Sequence, residues 1–308
     1  MTETVAPLKK NVKTRSKTAD SPWKATWSRF SKNKLAVIGF IIIVLMFLIC
    51  FIGPMLSPYS LLEYNLKSKN TPPSSAHWLG TDKLGRDILL RMMLAGRISL
   101  IVGLIATFIS VVIGSVVGAI AGFYGKWVDT IFMRIADIFM ALPSLPILII
   151  LGVVLSDFKI DPAIRIYYIM AIIGFLNWTT IARLVRGQIL SLREQEFMQA
   201  TVALGLKDHR KIFRHLLPNT VPIIIVTATL SIAGAILTES ALSFLGVGII
   251  PPTASWGNMI SAANNLIDLN KRPWLWIPPG LCVLITTVSI NIIGDSLRDA
   301  IDPKRNKN

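Results

Sequence analysis

One carboxylate, Glu239, lies deep in a long apolar run that extends from Pro218 to Phe244. An ionisable side chain inside a membrane span costs about 2.5–3.5 kcal/mol on insertion scales, so it should face a polar cavity or another subunit. Thr227, Ser231, Ala235 and Ser243 recur on its face at i±4 spacing, and Thr238 adjoins it. The chemistry this pattern offers is hydrogen bonding rather than bond making. Two roles fit. Glu239 lies roughly 31 Å along an unbroken helix from Pro218, near one membrane surface, where it would belong to an outer gate or vestibule of a translocation path. Alternatively, its carboxylate closes the helix structurally ahead of Leu245-Gly246-Val247-Gly248. Asn177 and Asn291 sit in or beside other apolar runs and are further candidates for lining a path, although buried amides more often join helices.

Side chains for hydrolytic chemistry do not assemble. The chain has no GxxxxGK[ST], HExxH, CxxC or GxSxG pattern, so it should not hydrolyse ATP itself. His77, His209 and His215 lie in separate hydrophilic stretches and read as surface residues, not as a metal or proton-relay cluster. Cys50 and Cys282 lie inside apolar runs and read as small packing residues.

A different pattern occupies Glu196 to Pro218, a basic island between two apolar runs. Phe197, Ala200, Leu204, then Ile212, Phe213 and Leu216 recur at roughly helical spacing, interrupted by Gly205. Asp208 is placed to cap a second helix, and Pro218 to occupy the first turn of the following run. The expectation is helix, glycine turn, helix: a rigid elbow at the membrane surface, suited to being gripped by a soluble partner.

The elements that hold these residues follow from hydropathy. The 308 residues are 53% hydrophobic and 16% charged, with a formal net charge of +15. That composition predicts an all-α polytopic membrane protein, and although a basic balance can suggest nucleic acid, the distribution of the charge along the chain argues against such a partner. Residues 1–34 form a basic arm, with Trp23, Trp27 and Phe30 spaced for an interfacial helix. A first span follows at 35–53, then a polar loop at 54–98. Five further spans fall within 99–296, and 297–308 is a polar tail. Gly114, Gly118 and Gly122 give the second span a small-residue stripe, read as a packing surface rather than a pore lining. Pro143 and Pro146 should kink the third. The 32 Lys and Arg residues divide about two to one between alternate loops, which puts both termini and the elbow in the cytoplasm.

The elbow resembles the EAA loop of ABC-importer permeases. Gln199-Ala200-Thr201, Gly205, His215 and Leu217-Pro218 stand at that loop's spacing, with Gln199, Thr201 and His215 replacing its Glu, Ala and Ile. The likeness extends along nearly the whole chain to the oligopeptide/dipeptide C-subunit branch. His77-Trp78-Leu79-Gly80-Thr81-Asp82, Leu84-Gly85-Arg86-Asp87, Met133 to Asp137, Thr238 to Gly246, Ser255-Trp256-Gly257 and Gly294 to Pro303 carry it. The resemblance implies a type I importer fold of six spans in a bacterial or archaeal plasma membrane. It implies a second, similar permease, two cytoplasmic ATPases that bind ATP and Mg, and an extracytoplasmic substrate-binding protein. This chain would hold no cofactor and would not be an enzyme. Gln199, Ala200, Thr201, Gly205, Lys207, Asp208, Arg210, Phe213, Arg214, Leu217 and Pro218 would couple it to an ATPase. Arg210 and Arg214 would either pair with acidic groups there or remain solvated. A nickel or metallophore importer of the same fold is an alternative substrate class. An ion-coupled secondary transporter is the rival mechanism, but no internal repeat is visible.

Overall fold

The computed structural model describes residues 27–60 and 64–301, and these are helices and connecting loops with one isolated bridge, Thr81 to Asp87. The all-α expectation holds. Trp23 and the ends of the basic arm and tail lie outside the described residues.

Five helical stretches are long and apolar enough to cross a membrane. Helix α1 is Lys34–Phe51 and α2 is Ile88–Tyr124. Helices α3, Lys126–Ala141, and α4, Ser144–Asp157, meet at 80°, and the pair makes a sixth span if counted as one. Helices α5, Pro162–Leu176, and α6, Trp178–Leu192, form one stretch broken at Asn177. The elbow begins with α7, Glu196–Ala203, and leads into α8, Leu217–Phe244. Short helices α9, Trp256–Ile260, and α10, Leu266–Lys271, precede α11, Ile277–Ile301.

The bend between α3 and α4 falls where the prolines predicted it. Pro143 has no N–H to continue a helix, and Leu142 ahead of it is extended at ψ 131°. Two helices extend beyond what hydropathy suggests, one at its start and one at its end. Helix α2 starts at Ile88, inside the expected 54–98 loop, because Asp87 accepts from the Leu90 N–H at 2.8 Å as its cap. Arg91 and Arg97 in its first turns hide this start from a hydropathy window. The last helix runs past Gly294 to Ile301.

Helix α2 is the axis of the bundle. A Cβ placed on Gly118 would lie 2.4 Å from the Ala182 carbonyl, and on Gly114 2.6 Å from that of Trp178. The stripe is therefore the contact of α2 with α6, as expected for packing. One step along, Ser110 donates to the Gly174 carbonyl at 2.7 Å and binds α5. Gly103 faces Ile236 of α8. Helix α1 lies outside this core and leaves Ile38, Ile41, Leu45 and Leu48 about half exposed, a lipid-facing pattern.

The N-terminal arm departs from a purely interfacial role. Trp27 is exposed, but Phe30 is buried, and Arg29 donates to the Ala300 carbonyl at 3.1 Å. Asn33 caps α1 and donates to Ser296 Oγ at 2.9 Å. The start of α1 and the end of α11 thus lie together. They share one end of the bundle with Gly125 and the elbow, while 64–87, Phe158 and 246–276 occupy the other.

Candidate functional site

The elbow is built as a helix, a left-handed turn and a second helix. Gly205 has φ +66°, a conformation that strains any residue with a Cβ. Its N–H donates to Val202 and that of Leu206 to Thr201, closing α7. The chain then re-enters a helix at Asp208 and winds continuously into α8. Asp208 does not cap this helix. Lys207 holds the cap position, and Asp208, already helical, accepts from Lys211 Nζ at 3.2 Å. Lys211–Leu216 is a wide π turn in which the Leu217 N–H reaches back to Ile212. An α-helix would drive the Pro218 ring into the carbonyl four residues earlier, and the wider turn relieves that clash. Pro218 stands in the first turn of α8, as expected, although the helix before it runs into α8 without a break.

The elbow's apolar residues split into two sets. Met198, Ile212 and Leu216 are buried and join Ile181, Val185 and Ile189 of α6, and the buried Thr201 donates to the Met198 carbonyl. Phe197, Ala200, Val202, Leu204 and Phe213 are exposed, Leu204 at 78%. Gln199, Lys207, Arg210 and Arg214 are exposed with them. This is a mixed apolar and cationic face, projecting from the bundle end. Helical spacing alone placed Leu204 and Ile212 on one face; the Gly205 turn separates them.

Glu239 sits elsewhere than on a cavity wall. It is 0% exposed within this single chain. Ser99 of α2 donates to it at 3.0 Å and Ser243 at 2.6 Å. The same Ser99 oxygen accepts the Trp256 N–H at 3.2 Å, and Ser243 accepts the Ile249 N–H at 2.9 Å. Glu239 therefore fastens α2, α8 and the loop after α8 together. The expectation of a cavity-facing carboxylate is corrected, because the internal hydroxyls satisfy it. Among the other path candidates, Ser231 and Thr238 are half-buried and bond to carbonyls of their own helix at 2.8 Å. Ser243 is buried in the Glu239 network. Asn177 is exposed, donating to Ile173 at the break between α5 and α6, and Asn291 is exposed on α11. The fold does not gather these residues into one site.

A buried cation was missed. Arg165 of α5 is 1% exposed and donates to four acceptors. These are the Gly248 carbonyl at 2.8 Å, the Val247 carbonyl at 2.7 Å, the Gly152 carbonyl at 3.0 Å and Ser156 Oγ at 2.7 Å. It ties α4 and α5 to the loop that Glu239 holds from the other side. Its spacing with the buried Ile169 and Ile173 places it on the buried stripe of α5, a position that hydropathy does not separate from a loop cation so close to the helix start.

At the far end from the elbow, the His77 to Asp87 segment folds into a compact turn. His77 pairs with Asp87 at 2.9 Å. Asp82 accepts from the N–H groups of Leu84 at 2.8 Å and Arg86 at 3.0 Å, and from the Arg86 side chain. Burial pushes the Asp82 carboxyl up, but the Arg86 side-chain bond, these two N–H groups and the Arg86 charge outweigh it and hold it below the ordinary carboxylate range.

Residues 114–307 match the family described as binding-protein-dependent transport system inner membrane component, and residues 21–73 match the N-terminal TM domain of oligopeptide transport permease C. Over 293 residues the chain is 43% identical to the oligopeptide transport system permease protein OppC of Bacillus subtilis (strain 168), covering 95% of this chain and 93% of that protein. The chain belongs to the family of binding-protein-dependent transport permeases. The permease is also 41% identical over 287 residues to the dipeptide transport system permease protein DppC of Alkalihalophilus pseudofirmus, covering 93% and 91%. It is 35% identical over 291 residues to the glutathione transport system permease protein GsiD of Pectobacterium atrosepticum, covering 94% of each. The all-helical permease fold of five spans, or six with the bent pair α3 and α4 counted as one, is that of this family. In this permease, the segments that carried the resemblance at the end of α8 and after it, Thr238 to Gly246 and Ser255-Trp256-Gly257, converge on the Glu239 network.

Proposed function

We propose that this permease is one membrane half of an ATP-driven importer of oligopeptides or dipeptides. A second, homologous permease completes the path, two cytoplasmic ATPases bind ATP and Mg, and an extracytoplasmic binding protein delivers the substrate. Both termini and the elbow face the cytoplasm, in keeping with the excess of Lys and Arg in those segments. The chain itself catalyses nothing; its work is mechanical.

The observation that carries this reading is the elbow. Its second helix is continuous with α8, so a push on the exposed Arg210 and Phe213 face travels along a single helical rod into the membrane. Alternating access follows. Closure of the ATPases moves both elbows, the spans rock, and the path between the two permeases opens outward; hydrolysis resets it. Gly205 and Pro218 shape the lever, and Gln199, Ala200 and Thr201 form its first arm, with Thr201 facing inward. The peptide class is supported by the named relatives, which favour it over a nickel or metallophore cargo.

The test is uptake of a labelled oligopeptide by the reconstituted four-subunit complex with its binding protein. Uptake should require ATP and survive collapse of ion gradients. Gradient-driven uptake without ATP would replace this reading with an ion-coupled transporter.

A further inference from the structure

A cavity of about 470 Å³ opens at the end of the bundle opposite the elbow, between the start of α2 and the 251–275 loop. Its lining carries three cations, Lys83, Arg86 and Arg91, and two carboxylates, Asp82 and Asp268. Internal pairing spends the negative charge. Asp82 is held by Arg86 at 2.6 Å and by two backbone N–H groups, and Asp268 by Arg272 at 2.6 Å. The donors are left over. Arg91 is 8% exposed, its Nε stands 3.6 Å from Asp82, and its Nη1 has no hydrogen-bond partner. A buried guanidinium nitrogen without an acceptor is costly and points to an absent one. Lys83 is exposed at the rim and has no ion-pair partner among the described residues. Asn265, also in the lining, uses its side-chain oxygen to cap α10.

We propose that this cavity is a carboxylate-binding site for the C-terminus of an incoming peptide, with Arg91 as its buried cation and Lys83 at its rim. The proposal rests on the peptide-import reading above. The ligand is an anion because both carboxylates are already held, Asp82 by Arg86 and by Arg91 Nε and Asp268 by Arg272, while Lys83 and the Nη1 of Arg91 have no acceptor among the described residues. A carboxylate matches the flat fork of a guanidinium better than a spherical anion does. The occupant is a small solute because the volume is that of a small-ligand pocket, whereas a docking protein needs a broad surface of about 800 Å² per side. A peptide anchored here by one end is loaded at the outer end, with its remaining length free to enter the path.

The test uses the intact complex of both permeases and both ATPases in lipid nanodiscs, without binding protein, and titrates it calorimetrically with trialanine and with trialanine amide. The amide should bind about tenfold more weakly or worse. Arg91→Gln should cost the free peptide a similar factor and erase the difference between the two ligands, and Arg91→Lys should restore part of it. Lys83→Gln, at an exposed position that the fold does not need, should weaken the free peptide about twofold to threefold and leave the amide unchanged. Equal binding of the two ligands by the unaltered complex, or binding of neither, overturns the proposal without recourse to any variant. A loss of binding-protein docking in Lys83→Gln with peptide binding intact also overturns it, by assigning the cations to the partner protein. Failure of the broader function shows differently, as absence of ATP-driven peptide uptake. Uptake that persists with equal binding of peptide and amide removes only the site.

Discussion

Arg165 Nε donates to the Gly248 carbonyl at 2.8 Å, and one residue further on the Ile249 N–H is held by Ser243, which in turn donates to Glu239. The loop after α8 is thus gripped by a buried cation on one side and a buried carboxylate network on the other. The two charges never meet. Each is satisfied by dipoles of the loop and the neighbouring helices, so the ends of α2, α4, α5 and α8 away from the elbow move together or not at all.

Replacing Arg165 by Met should therefore destabilise the permease. Gly152, Val247, Gly248 and Ser156 would lose a buried donor, an expected cost of roughly 2–4 kcal/mol after relief of the buried charge. Thermal unfolding of the complex in detergent should show the shift, with Arg165→Lys intermediate. An unchanged midpoint would mean that water replaces the guanidinium.

Glu239→Gln should act on stability rather than on selectivity. The amide can accept from one of Ser99 and Ser243 but presents hydrogens to the other. A loss of about 1–2 kcal/mol is expected, with little change in relative uptake of different peptides. A changed substrate preference at normal stability would return Glu239 to the path.

Much of this architecture was readable from residue order. The small-residue stripe of α2, the proline bend and the glycine turn of the elbow all follow from local rules, because each depends on one or two neighbours in sequence. The burial of Glu239 and Arg165 did not follow. Both are satisfied by residues far along the chain, Ser99 and Val247–Gly248, and hydropathy carries no information on which distant dipoles will converge. Asp208 failed as a cap for a subtler reason: it lies one residue inside the helix that Lys207 opens.

Gly118→Leu should disrupt the contact of α2 with α6. Even the first added carbon meets the Ala182 carbonyl at 2.4 Å, so the helices must part. The expected outcome is loss of the assembled complex at normal synthesis, read by co-purification of partner subunits. Intact assembly would show that α6 shifts freely.

Asp82 should make stability fall on the acid side. Its folded pKa lies below the ordinary value of 3.8, so its contribution is fully present above that value and is lost as pH falls through the folded one. Asp82→Asn should lower the unfolding midpoint at pH 6 and flatten the acid limb below about pH 4. A parallel displacement of the whole pH curve would contradict this, because the acid limb would then belong to another group.

Gly205→Val should break coupling without breaking insertion. Open space surrounds the position, so the obstacle is the φ of +66° alone, which a β-branched residue adopts at a cost of about 1–2 kcal/mol. Membrane levels should stay normal while stimulation of the ATPases by loaded binding protein is lost. Gly205→Asn, which tolerates that conformation, should retain most activity. Full activity of the valine variant would remove the turn from the mechanism.

The lever account depends above all on which side of the membrane the elbow occupies and what covers it there. Leu204, 78% exposed at the turn, is the position to probe. A Leu204→Cys variant lacking Cys50 and Cys282 should resist a membrane-impermeant maleimide in intact cells. In inside-out vesicles it should react once the ATPases are stripped away and be shielded when they are restored. Labelling of intact cells from outside would contradict the account at its root.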